Sequence, residues 1–224
     1  SFAGYSFSKA HSASYAIESF QSLYLKAHYP LEFMVAVINN FGGFYRTWVY
    51  VHEARRYGAT IQPPCVNKST FKTTIYGTDI YLGFIHILSI EEKLARSIEE
   101  IRDADGPFSD LNDFVERVCP GLEQVVLLIR AGAFRFTGKK KAVLLWEAHM
   151  MMNRNKNESI RPLFSQPVRN FTLPDLIHGS LDDAYDEIEL FGFPVTVSWF
   201  DMLETSFRGD VPARGAAAGG PLAG

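Results

Sequence analysis

The chain has 224 residues, of which 47% are hydrophobic and 14% aromatic, enough to bury one large core or two small ones. Its apolar runs are far shorter than the roughly 20 residues of a membrane-spanning helix, and no signal-peptide pattern opens it, so we expect no membrane association. The two cysteines, Cys65 and Cys119, lie far apart without a neighbouring histidine pair. This spacing argues against a disulfide framework or a zinc site and favours a reduced, cytoplasmic setting.

The net charge of −3 is unevenly distributed along the chain. Basic blocks at residues 1–72 and 121–169 alternate with acidic blocks at 73–120 and 170–224. Basic blocks can meet a polyanion such as nucleic acid, but charged stretches of this kind are equally common as solvated helix faces. Charge alone leaves both interpretations open.

Three helices are predicted in the first third of the chain, at residues 11–27, 30–38 and about 45–57. Ser12 is available as a cap of the first helix, and Pro30 suits the first turn of the second. Gly42 and Gly43 separate the second helix from the third.

Beyond the first third, residues 61–70 contain Pro63 and Pro64 and are predicted to be an extended loop. Residues 71–76 and 79–84 flank a Gly-Thr pair and predict a β-hairpin. Five further helices are predicted at 91–103, at 110–118 behind Ser109, at 122–129, at 139–152 behind Thr137, and at 181–191 before Gly192. The predicted fold class is therefore mainly α with a small β-hairpin.

The segment GYSFSKAHSASYA at residues 4–16 resembles a signature of the family C DNA polymerases, the alpha subunits of bacterial DNA polymerase III. Ser8 departs from this pattern, because Asn is usual there. The likeness spans roughly residues 1 to 195 and includes YLKAHYPLEFM at 24–34, VNKS at 66–69, YLGF at 81–84 and IRAGAF at 129–134. Because the chain starts at Ser1 rather than Met, we expect it to be a piece of a longer protein.

The resemblance implies a helical fingers segment followed by a helix-hairpin-helix-like bundle. We expect five segments: the C-terminal part of the fingers at 1–72, a β-hairpin and DNA-binding bundle at 73–152, a linker at 153–180, an acidic helix with a connection toward a further domain at 181–210, and a low-complexity tail at 211–224.

The implied activity is that of a DNA-directed DNA polymerase, in which palm carboxylates and magnesium ions perform nucleotidyl transfer. Nothing in this chain matches those carboxylates, so we expect no catalytic and no metal-binding residue here and no activity from this piece alone. The densest carboxylate group, Asp182, Asp183, Asp186 and Glu187, is better interpreted as the solvated face of a helix.

The fingers of such polymerases orient the incoming nucleoside triphosphate, and the positions that match are Lys9, His11 and Ser12. A lysine charge, two hydrogen-bond donors and the free amides of a helix start suit a phosphate. The alternative is a solvated lysine beside an ordinary cap. Tyr15 could stack on a base, although a core tyrosine is the commoner case.

The family's helix-hairpin-helix element binds backbone phosphate with a Gly-x-Gly turn. Here the corresponding residues 87–92 read ILSIEE, without either glycine, so we expect weak DNA contact from this turn. Better candidates for contacting DNA are Arg135 and the cluster Lys139, Lys140 and Lys141; a solvated basic helix start is the alternative.

The resemblance also implies primer-template DNA, deoxynucleoside triphosphates, a sliding clamp and other replisome subunits as partners. Leu163 and Phe164 match the apolar plug of the family's clamp-binding peptide, but Ile160 replaces its glutamine. The two side chains could equally pack on the protein's own surface. Two further interpretations remain open: a free-standing helical DNA-binding or scaffold module, and the error-prone paralogue of the same polymerase family.

Overall fold

The structure, a computed structural model, describes residues 9–157, 179 and 181–203; of residues 9–10 and 153–157 it describes the backbone only. The chain divides into two compact units. The first unit holds the residues up to Thr60 together with Ile75–Ile80, and the second holds Ile61–Thr74 and the chain from Tyr81 onward. None of the described helices is long and apolar enough to span a bilayer.

The first unit contains three helices, as predicted: α1 (Lys9–His28), α2 (Pro30–Asn39) and α3 (Thr47–Arg56). Pro30 occupies the first turn of α2, where its missing amide hydrogen is not needed. Met34 and Ile38 of α2 are buried, as are Val51 and Ala54 of α3, and the two helices pack on each other. Ser12 lies inside α1 rather than at its cap, because the helix includes the preceding residues from Lys9 onward.

A three-stranded sheet follows, formed by β1 (Thr60–Gln62), β2 (Thr74–Tyr76) and β3 (Asp79–Tyr81) in the order β1-β3-β2. The predicted hairpin is confirmed, with Gly77 at φ +64° in its turn, but its strands are shorter than predicted. The prediction of an extended loop at 61–70 is wrong for its first two residues, which belong to strand β1. Residues 60–62 pair with β3 through bonds such as Leu82 N to Gln62 O, 3.0 Å.

The second unit contains the remaining five helices of the described chain. They are α4 (Glu92–Asp105), α5 (Leu111–Val118), α6 (Leu122–Arg130), α7 (Lys141–Asn157) and α8 (Asp182–Phe191), with 3-10 turns at Phe84–His86 and Arg135–Thr137. The predicted linker at 153–180 therefore begins later than expected, because α7 continues to Asn157; the rest of that segment lies outside the described residues apart from Gly179.

The cap of α5 is Asp110, not the predicted Ser109. The Asp113 amide donates to Asp110 Oδ1 at 2.9 Å, and the Ser109 amide donates to Asp113 Oδ2 at 2.9 Å. The first bond satisfies a free amide of the first helical turn, and the second ties the residue before the cap to the helix. The pKa of Asp113 is lowered, chiefly by the hydrogen bond from the Ser109 amide and further by Arg117. These effects outweigh desolvation, which raises the pKa.

The core of the second unit is built around three buried phenylalanines. Phe108 and Phe134 both contact Phe114 edge to face, with ring centroids 5.1 and 5.0 Å apart. Val66 and Leu190 belong to the same core, although they lie far apart in the chain. The mainly helical fold class is thus confirmed, with one continuous core under α4 to α8.

This packing differs from two of the predicted domain boundaries. Residues 61–72, predicted as part of the first segment, belong to the second unit. Arg102 donates to the carbonyl oxygens of Val66 and Ser69 at 3.1 and 2.6 Å, and Asn67 exchanges two 2.8 Å bonds with the backbone of Phe108. The acidic helix, predicted as a separate segment at 181–210, places Leu190 in the core of the bundle.

His86 is a half-buried histidine that predicts a pH-dependent stability. Its Nε2 lies 3.0 Å from Thr73 Oγ1, and desolvation lowers the pKa of His86 from 6.5 to about 4. The folded state therefore disfavours the protonated ring. The contribution of neutral His86 to the free energy of unfolding is complete above pH 6.5 and is lost as the pH falls toward 4. We expect unfolding free energy to fall by up to about 3 kcal/mol over that window.

Urea unfolding at pH 7.5 and pH 4.5 measures this dependence. His86→Gln should flatten the difference between the two pH values, whereas His52→Gln, at an exposed position of α3, is the matched control and should keep it. An equal pH dependence in wild type and His86→Gln would contradict the conclusion that His86 causes this loss of stability.

Candidate nucleic-acid interface

The three residues predicted to bind the nucleotide lie at the start of α1. The backbone of Lys9 begins the helix, while the Lys9 side chain lies outside the described residues. His11 is exposed, and its ring meets that of Tyr15 edge to face at 4.3 Å. Ser12 is half-buried. The described start of α1 therefore places an exposed imidazole and a half-buried hydroxyl on neighbouring residues.

Tyr15 is 57% exposed and is therefore not part of the core of the first unit, so its interpretation as a core tyrosine is wrong. The pattern of apolar residues along α1 predicted a buried face, yet Phe20 and Leu23 are also exposed. Amphipathic spacing alone does not determine what covers a helix face.

The predicted basic cluster lies where the second 3-10 turn leads into α7. Lys139 Nζ pairs with Glu147 Oε1 of α7 at 2.7 Å, and both Lys139 and Lys140 are exposed. Lys141 differs, because its side chain is only 14% exposed and its Nζ lies 2.7 Å from Asp183 and 3.2 Å from Asp186. The cluster is therefore divided between an outward pair and an inward lysine that holds α8.

Arg130, at the end of α6, makes the second connection to α8. Its Nε donates to Asp186 Oδ1 at 2.8 Å and its Nη2 to Glu189 Oε2 at 2.5 Å. The bond with Glu189 raises the pKa of Arg130, and the same bond lowers the pKa of Glu189. Sequence reasoning missed Arg130, and its place at the end of a predicted helix was the only available signal.

The interpretation of the α8 carboxylates as a solvated face is wrong for most of them. Asp183 and Asp186 pair with cations from α6 and α7, as described above. Glu187 is 3% exposed and accepts hydrogen bonds from the Val195 amide at 2.6 Å and from the Thr196 amide and hydroxyl at 2.8 and 3.1 Å. A buried carboxylate is tolerated because these donors replace water.

Arg135 also lies near these carboxylates. Its side chain packs over Gly132, where an added Cβ would stand 3.0 Å from Nη1. Desolvation lowers the pKa of Arg135, and the charge of Glu187 opposes this effect. Arg135 is exposed as a residue but is electrostatically coupled to α8.

The turn predicted to be a degenerate phosphate-binding hairpin lies between the first 3-10 turn and α4. The Leu88 amide donates to Leu190 O of α8 at 2.9 Å. Gln124 of α6 bridges the turn, with its Oε1 accepting from the Glu91 amide at 2.9 Å and its Nε2 donating to Ser89 O at 3.2 Å. Two amides that could face a phosphate are thus occupied by the protein, which favours the expectation of weak DNA contact.

The predicted clamp-binding residues Leu163 and Phe164 lie outside the described residues. Among the side chains that the structure describes, no group of three or more His, Cys, Asp and Glu residues could hold a metal ion. The nucleotide-binding candidates and the lysine cluster belong to different units.

Comparisons with known proteins match this architecture. A family model described as a helix-hairpin-helix motif matches residues 58–144. The DNA polymerase III subunit alpha of Thermus aquaticus is 37% identical over 150 residues, which cover 64% of this chain and 12% of that protein. The error-prone DNA polymerase of Bdellovibrio bacteriovorus is 36% identical over 150 residues, covering 65% of this chain and 14% of the relative.

The chain is related to one region of these polymerases. The DNA polymerase III subunit alpha of Saccharopolyspora erythraea supports the same relationship, at 35% identity over 147 residues, 64% of this chain and 12% of that protein. The predicted resemblance is confirmed. The matched part spans only about an eighth of the length of these curated polymerase relatives.

The division of the lysine cluster predicts different effects of two neighbouring substitutions in this polymerase-related chain. Lys141→Met should lower the unfolding free energy by about 1–3 kcal/mol, because it removes the cation of Asp183 and one of the two cations that pair with the partly buried Asp186. Lys140→Met should change it by less than about 0.5 kcal/mol, as is usual for exposed positions. Urea unfolding compares the two variants, and equal stabilities would contradict a structural role for Lys141.

Proposed function

We propose that this chain forms part of a DNA-directed DNA polymerase and contributes to binding the incoming nucleotide and the primer-template. The observation that carries the proposal is the 37% identity to a DNA polymerase III subunit alpha, combined with a helix-hairpin-helix region at 58–144. The magnesium ions and the carboxylates that perform the reaction belong elsewhere in the complete enzyme, which acts in the cytoplasm. Residues 1–224 alone are expected to be inactive.

The start of α1 is proposed to bind the triphosphate through Lys9, His11 and Ser12. The free amides of a first helical turn carry partial positive charge and favour an anion. His11 is exposed, and its ring contacts that of Tyr15, which gives the imidazole a defined orientation at this surface. The task is to position a phosphate and neutralise its charge, which does not require a metal site in this chain.

Lys9→Ala in the complete enzyme tests this role. It should raise the nucleotide concentration needed for half-maximal extension of a primed template by about tenfold, because one charge-assisted contact is lost. Lys26→Ala, in the last turn of the same helix, is the matched control and should leave the requirement unchanged. Equal nucleotide dependence of wild type and Lys9→Ala would refute the triphosphate role.

The outward lysines are proposed to contact the DNA backbone. Lys139 and Lys140 are exposed just before α7, between the left-handed Gly138 and the helix, and Lys139 pairs with Glu147. Arg135 and Lys141, which were predicted with them, are proposed to support this contact indirectly by holding α8. The hairpin turn contributes little, because Gln124 and Leu190 occupy its amide and carbonyl groups.

Replacing both Lys139 and Lys140 by Ala in the complete enzyme should reduce the slope of log affinity against log salt for duplex DNA by about one to two. Lys93→Ala, at an exposed position of α4, is the control and should keep the slope. Thermal melting of each variant checks the fold. An unaltered slope in the double variant would place the lysines away from the duplex.

The clamp and the other replisome subunits are proposed as partners on the resemblance alone. Leu163 and Phe164 would supply an apolar plug for a pocket on the sliding clamp. Because the matched relatives include an error-prone DNA polymerase at nearly the same identity as a DNA polymerase III subunit alpha, the proposal covers both kinds of polymerase.

A further inference from the structure

The loop after α2 and the adjoining helix α3 expose several rings that lie close together in the chain. Phe44 is 94% exposed, Tyr45 is 59% exposed, and Trp48 and His52 of α3 are exposed as well. Trp48 and His52 lie four residues apart on one face of α3, and Tyr45 lies in the loop just before it. We refer to Phe44, Tyr45, Trp48 and His52, together with Arg46, as the ring ridge. All of it lies in the first unit.

The protein holds this ridge in a defined conformation. Gly43 has φ +100°, and a Cβ at this position would stand 2.1 Å from Tyr50 Oη, so only glycine fits against that ring. The ring of Tyr45 meets Phe44 at 5.3 Å and Tyr50 at 6.4 Å, both edge to face. The loop therefore packs through Tyr50 and Tyr45 while leaving Phe44 in water.

The charges around the rings favour an anionic ligand. Arg46 is exposed, and its guanidinium makes no ion pair with any residue that the structure describes. The single carboxylate of α3, Glu53, pairs with Arg56 at 2.8 Å. The ridge thus offers one cation beside several rings, and the nearest carboxylate on its helix is already neutralised.

The composition of the ridge separates it from the other exposed apolar surface of the first unit. α1 exposes aliphatic side chains such as Ile17, Leu23 and Leu25 among its own exposed rings, a mixture that suits a protein groove. The ridge contains rings and an arginine but no aliphatic side chain. Rings interleaved with cations bind single-stranded nucleic acid, because every base has a flat face that can stack on an aromatic ring.

We propose that the ring ridge binds unpaired DNA. Bases stack on the rings of Phe44 and Trp48, and Arg46 contacts a backbone phosphate. This inference rests on the proposed polymerase function for the identity of the nucleic acid, and it adds a site for the single-stranded part of a template that is distinct from the nucleotide-binding and duplex-binding residues.

Phe44→Leu in the complete protein is the first test, since an almost fully exposed ring can be removed without disturbing the fold. Anisotropy of a labelled oligo-dT should show about tenfold weaker binding, which corresponds to the loss of one stacked base. Affinity for a blunt duplex and the melting temperature should not change. Tyr57→Leu, an exposed ring beyond the end of α3, is the matched control and should bind oligo-dT as wild type does.

Arg46→Gln supplies an independent measurement, because it should reduce the salt slope of oligo-dT binding by about one while the Phe44→Leu variant keeps the wild-type slope. Unchanged oligo-dT affinity in Phe44→Leu would overturn the proposal, and so would an equal loss on blunt duplex. A lower melting temperature of Phe44→Leu with normal oligo-dT binding would show that the Phe44 ring packs within the complete protein instead.

Extension of a primed template by the wild-type protein separates this inference from the polymerase proposal. If the wild-type protein extends the primer while Phe44→Leu binds oligo-dT as wild type does, only the ridge proposal is refuted. Weakened oligo-dT binding in Phe44→Leu without any wild-type extension would support the ridge and remove the polymerase proposal.

Discussion

The second unit depends on the ion pairs that connect α8 to α6 and α7. Arg130 bridges Asp186 and Glu189, and Lys141 reaches Asp183 and Asp186 from the opposite helix. Charges removed from water are costly unless they are paired, and here each partly buried cation meets two carboxylates. With α8 held in this way, the Leu190 side chain enters the core and the Leu190 carbonyl accepts the Leu88 amide of the hairpin turn.

This arrangement narrows the surface that can meet DNA. The basic block at 121–169 suggests a broad cationic patch. However, Arg130 and Lys141 form ion pairs with carboxylates of α8, and the charge of Glu187 acts on Arg135. Gln124 meanwhile closes the hairpin turn from the side of α6. Within the described part of this block, the exposed lysines are therefore Lys139, which pairs with Glu147, and Lys140.

The first unit presents three chemically different surfaces. The start of α1 offers amides, a histidine and a serine, which suit phosphates. The remainder of α1 exposes aliphatic and aromatic side chains that are typical of a protein contact. The ring ridge offers flat rings beside Arg46, which suit bases. A segment that binds the nucleotide, the template strand and the rest of a polymerase would require surfaces of these three kinds.

Local sequence determined the helices, because apolar periodicity, Pro30 and the glycine pairs act within a few residues of one another. The hairpin around Gly77 was available from the sequence for the same reason, and the polymerase resemblance was available because it rests on residue identities alone. Only the tertiary structure decided the third strand β1, the role of Gln124, the burial of Glu187 and the pairing of the other α8 carboxylates. Asp186 pairs with Lys141, 45 residues away, and with Arg130, 56 residues away. Whether a charge faces water or a partner depends on such distant contacts, which the neighbouring residues do not specify.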